Sequence, residues 1–332
     1  MLGRSANDLF WMSRYIERAE NIARLLEVGY RIALLPREGD GQDNEWYSTL
    51  RSAGSEKGYL SKYGAYDTRD VVNYMLFDPD NPSSVYSSLA TGRRNARAQR
   101  TALTREMWES LNSAWLEFSS MDRTKIGSNE LPRLFDWIKE RSALFRGTLL
   151  NTILRNDTFY FSQLGTFLER ADNTARILDV KYHVLLPGDG GVGGPIDHGQ
   201  WESILRAVSA LRAYQWIYHD ALSPWKIADL LILRPEMPRS LVACYGQVVA
   251  TLDLLAESLG GRRGECHRRA GEIHARLRYG RIDSIFQDGL HEFLTRVVDD
   301  TLMLGRDIDE FYLLGRGVCA APAASAVVAF QP

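Results

Sequence analysis

Fourteen residues of this chain recur almost unchanged about half a chain later. ERAENIARLLEVGY begins at Glu17 and ERADNTARILDVKY begins at Glu169. Nine of the 14 positions are identical, and three more are Glu/Asp or Leu/Ile exchanges. Chance would supply on the order of one identity in such a window, so the chain carries an internal repeat. The match continues beyond the window. Each copy runs on to Leu-Leu-Pro, at Leu34–Pro36 and Leu185–Pro187, and then to Trp-x-Ser-x-Leu, at Trp46–Leu50 and Trp201–Leu205. Further on, FDPDNPSS (Phe77–Ser84) matches LRPEMPRS (Leu233–Ser240) in both prolines and the final serine. The offsets are 152 for the Glu-Arg window, 151 for Leu-Leu-Pro, 155 for the tryptophan segment and 156 for the proline segment, so the length differences fall between the matched segments. The spacing predicts one duplicated helical unit, with residues 1–155 as the first repeat, 156–315 as the second and 316–332 as a flexible tail. Duplicated halves bury equivalent faces most easily about a pseudo-twofold axis.

Hydrophobic spacing assigns the secondary structure. Runs of alternating β-branched and aromatic residues bounded by turns are lacking, whereas apolar residues recur at helical spacing through long segments. Helices are expected over 7–35, 83–119, 130–154, 158–186, 197–221, 240–259, 264–279 and 283–314, with shorter ones over 46–53, 68–76 and 225–233. Ser5 or Asn7, and Ser83 or Ser84, are candidate N-caps, and Pro36 is a stop. The fold class is all-α, a duplicated helical bundle forming one continuous domain.

Composition excludes several function classes. Lys+Arg total 40 and Asp+Glu 42, a net charge of −2, which argues against a dedicated nucleic-acid or anionic-membrane binder. Three distant cysteines without a CxxC pair form no disulfide framework or zinc site, and they fit a reducing, cytoplasmic compartment. No uncharged apolar run reaches the length of a membrane span or signal peptide. The six histidines show no metal spacing, and no cofactor motif is present; GxGxxG at Gly188, Gly190 and Gly193 follows a helix rather than a strand and reads as a loop.

The repeated segment itself supplies the candidate site. On a helical wheel Glu17, Asn21, Arg24 and Val28 share a face, with Glu20 and Glu27 beside them, while Tyr15, Ile22, Leu25, Leu26 and Tyr30 form an apolar arc. Arg18 falls inside that arc, as Arg170 does in the second copy, so each must reach water or a carboxylate. Both copies keep Glu, Arg, Asn and the second Arg, while positions read as solvent-facing drift, Gly29 becoming Lys181. A polar cluster of Glu17, Arg18, Asn21 and Arg24 facing Glu169, Arg170, Asn173 and Arg176 is therefore expected near the axis. It serves either as a register pin or as a ligand site. Carboxylate, amide and guanidinium together suit an amino-acid- or peptide-like ligand. Arg93 and Arg97, from an acid-free stretch with five arginines, could add a carboxylate or phosphate contact, although a salt-bridged basic face explains them equally. His291 is a candidate acid–base group, with a hydrogen-bonded, half-buried histidine as the plain alternative.

MLGRSANDLFWMSRYIERAENIARLL and LGTFLERADNTARILDVKYHVLLP resemble the bacterial alpha-E family, a helical family named for its Glu-Arg motif. The resemblance extends to about Leu314 and includes GRRNARAQR (92–100), EMWESLN (106–112), RPEMPRS (234–240) and GLHEFL (289–294). The chain departs from the family pattern at Arg94, where the pattern has Glu. The resemblance implies partnership with a circularly permuted ATP-grasp-type ligase, often beside a transglutaminase-like peptidase, and hence a helical partner or substrate-positioning component in amide or peptide ligation. The alternatives are a stand-alone enzyme with Glu17 and Glu169 as acid and base, and a scaffold without a ligand.

Overall fold

The structure is a computed structural model that describes residues 3–35, 45–123, 126–185 and 194–314. The tail and the glycine-rich loop at 188–193 lie outside the described residues. Among the described residues all regular structure is helical. The first repeat contributes α1 (Arg4–Ala33), α2 (Glu45–Ser52), α3 (Glu56–Leu60), α4 (Thr68–Leu76), α5 (Val85–Ala98), α6 (Arg105–Ser119) and α7 (Leu131–Thr152). The second contributes α8 (Asp157–Leu185), α9 (Pro195–Ala207), α10 (Leu211–Tyr218), α11 (Pro224–Ile232), α12 (Leu241–Ser258), α13 (Glu265–Arg278), α14 (Ile282–Asp288) and α15 (Leu290–Ile308).

Three segments expected as single helices are each broken in two. The 83–119 segment breaks after Ala98, and Thr104 restarts it by accepting the Met107 amide. The 197–221 segment breaks at Val208–Ala210, where Ser209 adopts φ 59°. The 283–314 segment breaks at Gly289, whose φ of 97° suits only a residue without a Cβ. Ser84, rather than Ser83, caps α5 by accepting the Ser87 amide, and Ser240 caps α12 in the same way through the Ala243 amide. The first helix starts earlier than expected, at Arg4, so Ser5 and Asn7 lie inside it rather than at its cap.

The helices that carry the Glu-Arg segments form the centre. α1 packs on α8, and each is flanked by the corresponding helices of its own repeat, α5 and α7 around α1, α12 and α15 around α8. The short helices cross over: α9 lies on α1 and α2 lies on α8. Small details repeat as well. The Tyr59 hydroxyl donates to the Ala65 carbonyl, and the Tyr214 hydroxyl to the Ala221 carbonyl, each closing the loop after its short helix at 2.6 and 2.7 Å. α12 has the length and hydropathy of a membrane span, yet its apolar face is buried against α8 and α13.

The position occupied by Gly29 and Lys181 is not solvent-facing. Gly29 is buried where α1 meets Thr49 and Trp46 of α2. Lys181 is only 2 % exposed and forms an ion pair with Asp197 at 2.7 Å. The first repeat uses the absence of a side chain to admit its neighbour; the second uses a buried ion pair. The approach of α1 to α8 also depends on a glycine. A Cβ at Gly165 would collide with the Phe10 carbonyl, a backbone atom that cannot move aside. Gly165→Ala is expected to destabilise the fold by about 1–3 kcal/mol, read as a lowered urea midpoint. Gly271→Ala, with nothing near its added methyl, should not lower it.

Candidate functional site

The Glu-Arg segments of α1 and α8 meet by exchanging partners. Arg18 donates through Nε and Nη2 to the Glu169 carboxylate, at 2.6 and 3.0 Å. Arg170 does the same to Glu17, at 2.8 and 3.0 Å. Both are forked, charge-assisted pairs, the strong form of this contact. This satisfies the two arginines that the helical wheel placed among apolar residues. The second arginines behave alike too. Arg24 pairs with Glu20 at 2.7 Å and donates to the Ala207 carbonyl; Arg176 pairs with Asp172 at 2.7 Å and donates to the Ser52 carbonyl at 3.0 Å. The Asn21 amide donates to the Glu169 carbonyl oxygen at 3.3 Å.

Further guanidiniums from outside the Glu-Arg motif complete the cluster. Arg14 reaches Glu169 at 2.7 Å, Arg146 of α7 bridges Glu17 at 2.9 Å and Glu20, and Arg239 lies against Glu20 and Glu17. Burial pushes the Glu169 carboxyl up, but Arg18 and Arg14 outweigh it and hold it at about 2. Burial likewise raises Glu17, and Arg170, Arg146 and Arg239 bring it below the ordinary carboxylate range. Burial lowers Arg239 to about 10. In this arrangement both carboxylates are counter-ions to buried guanidiniums.

On the Glu169 side the cluster borders a small pocket. It has a volume of about 150 Å³ and is lined by Arg14, Arg18, Asn21, Glu169, Asp172, Asn173 and Arg176, with Ser83 at its edge. Arg24, Arg170 and Glu17 do not line it; they lie on the opposite side, with Glu20, Arg146 and Arg239. One position explains the difference. Ser83 of FDPDNPSS corresponds to Arg239 of LRPEMPRS. The Arg239 side chain fills its side and neutralises Glu20, whereas Ser83 leaves room beside Asp172. Within the open pocket the Oδ1 atoms of Asn21, Asn173 and Asp172 are buried and accept no hydrogen bond. Buried acceptors without donors are costly.

The other expected residues lie elsewhere. Arg93 donates to Asn112 Oδ1 at 2.8 Å and lies over the Trp108 ring, and Arg97 is exposed. Neither lines the pocket, because both project from α5 along the surface beside α6. His291 bonds Asp179 at 2.6 Å and stacks on Tyr182 with ring centroids 3.7 Å apart, near the far end of α8. Arg239 sits in the matched FDPDNPSS/LRPEMPRS segment, aligned with Ser83, but outside the Glu-Arg helices. Arg146 had no sequence signal, being brought in by α7 from outside the repeated segments.

The cluster predicts two stability effects. Glu17→Ala strips a counter-charge from three guanidiniums and should cost about 3–5 kcal/mol in urea denaturation, while Arg206→Ala at an exposed i,i+4 pair should leave the midpoint unmoved. The folded carboxyl of Glu169 lies below its ordinary 4.5. Its contribution is therefore complete above about pH 4.5 and lost as pH falls toward about 2, giving a melting temperature that drops through that window. A Glu169→Gln variant should show a flatter drop.

Comparison with known proteins agrees with this geometry. Residues 1–313 match the family model Alpha-E, described as a predicted alpha-helical domain with a conserved ER motif. Uncharacterized proteins of Mycobacterium bovis and of Mycobacterium tuberculosis are each 26 % identical over 89 % of this chain. The chain covers 35 % of their length, about a third of the curated relatives it matches. No solved structure matches it. With the Glu-Arg segments exchanging partners at its centre and the family model spanning nearly all its length, the chain belongs to the Alpha-E family.

Proposed function

We propose that this chain is a helical partner or substrate-positioning component of an ATP-grasp-linked amide or peptide ligation system. Its open pocket would hold an amino-acid-like group. The observation that carries the reading is the pocket's double character. Arg14, Arg18 and Arg176 offer guanidinium donors, and Asp172, Asn21 and Asn173 offer buried acceptors without partners. A zwitterion answers both sets, its carboxylate toward the arginines and its ammonium toward the Oδ1 atoms. The filled side supports the cationic half of the match, since there the chain's own Arg239 meets Glu20. The reciprocal helix pairings further support halves related by a two-fold axis through the Glu17–Glu169 cluster, with superposition of residues 4–33 and 157–185 as its measure. The reducing, cytoplasmic setting and the ligase partner belong to the same proposal.

The paired state of Glu17 and Glu169 favours this reading over a stand-alone acid–base enzyme. The test is ligation by the purified chain together with its ATP-grasp-type ligase, ATP and candidate amino acids. Arg176→Ala and Ser83→Arg should each reduce product formation about tenfold or more with the helical spectrum retained, since each removes or occupies one end of the pocket. Arg24→Ala, on the filled side, should act mainly on stability. Full ligation in both pocket variants would leave the cluster as a register pin in a scaffold.

A further inference from the structure

A second, larger cleft lies on the other side of α8. It has a volume of about 810 Å³ and runs between α8, α12, α13 and the 233–238 loop. That size lies within the range of small-molecule sites. Its floor is made by three side chains that are each at least nine-tenths buried. Arg170 spends Nε and Nη2 on Glu17, and its Nη1 has no hydrogen-bond partner. Gln163 and Thr251 make no side-chain hydrogen bond among the described residues. Phe159, Phe167 and Val242 give apolar wall. Arg155 and Arg278 also line the cleft and carry no ion pair among the described residues, against a single acid, Glu236.

The first repeat carries larger side chains at the corresponding positions. Tyr86 corresponds to Val242, two residues after the matched cap serines Ser84 and Ser240. The buried apolar residues of α6 (Met107, Leu111, Ala114, Phe118) and of α13 (Cys266, Ala270, Ile273, Leu277) have identical spacing, which aligns Trp115 with His274. Tyr86 and Trp115 pack together with ring centroids 5.0 Å apart. Val242 and His274 are smaller, and next to them Gly246 brings no side chain at all.

From the unengaged Arg170 Nη1, the unpartnered floor amide and hydroxyl, and the apolar walls, we infer that this cleft binds a small amphipathic acid, with its carboxylate toward Arg170 and its apolar body along Phe159, Phe167 and Val242. The site is separate from the amino-acid pocket and stands without it. A carboxylate supplies the acceptor that Arg170 Nη1 lacks and takes the amide and hydroxyl protons of Gln163 and Thr251. Arg155 and Arg278 add favourable field at the mouth.

The probe is N-acetyl-L-phenylalanine, titrated calorimetrically into the full chain beside its neutral carboxamide. Saturable binding of the acid is expected, with the carboxamide about tenfold weaker or worse, since it lacks the charge that Arg170 reads. The Val242→Tyr/His274→Trp double variant installs the first repeat's own residues and should abolish binding at an unchanged helical spectrum. Arg155→Gln/Arg278→Gln, at exposed positions that do not threaten the fold, should weaken binding about tenfold. Ser83→Arg closes the other pocket and should leave binding of the acid intact. No binding of the acid, equal binding of the carboxamide, or binding lost in Ser83→Arg but kept in both cleft variants would overturn the inference.

Discussion

Two glutamates and two arginines, exchanged between α1 and α8, are the constraint on which this fold turns. Arg18 and Arg170 stand where a helix wheel demands apolar residues, and each is acceptable only because the other helix delivers a carboxylate to it. Neither helix can satisfy its arginine alone, so the pairing specifies both the partner and the register. A slide of one helical turn would leave four charges buried without counter-ions. Apolar packing of α5, α7, α12 and α15 around the pair supplies area; the charge exchange supplies uniqueness.

Close helix contact and buried charge reinforce each other. Gly165 lets the Phe10 backbone approach α8, and that approach brings guanidinium and carboxylate within forked hydrogen-bonding distance. At such burial an unpaired charge would be prohibitive, so the structure recruits Arg14, Arg146 and Arg239 from three different elements. The result is a cationic surplus around four carboxylates, Glu17, Glu20, Glu169 and Asp172. That surplus suits a site that receives an anionic group.

The sequence repeat matches positions whose side chains differ in size at two places. Beside the cluster, Arg239 fills one side and Ser83 leaves the other free. Behind α8, Val242, Gly246 and His274 line a cleft, and Tyr86 and Trp115 stand at the positions matched to Val242 and His274. In both instances the matched positions differ in side-chain volume.

The sequence by itself determined the helical class, the repeat, most helix positions and the need for Arg18 and Arg170 to find carboxylates, because these follow from local periodicity and from the cost of an unpaired buried charge. It misjudged continuity at Gln99–Thr104, Val208–Ala210 and Gly289, where capping and positive φ angles break helices that apolar spacing alone would continue. It read Gly29 and Lys181 as solvent-facing because the wheel knows nothing of α2 packing against α1 or of α9 packing against α8. Tertiary structure alone decided that Glu17 and Glu169 are counter-ions, that Arg24 lies away from the pocket, and that Arg93, Arg97 and His291 lie outside it. The physical reason is common to all of these: a side chain's charge and volume are written in the sequence, but what they neutralise or fill depends on which distant elements are packed against them.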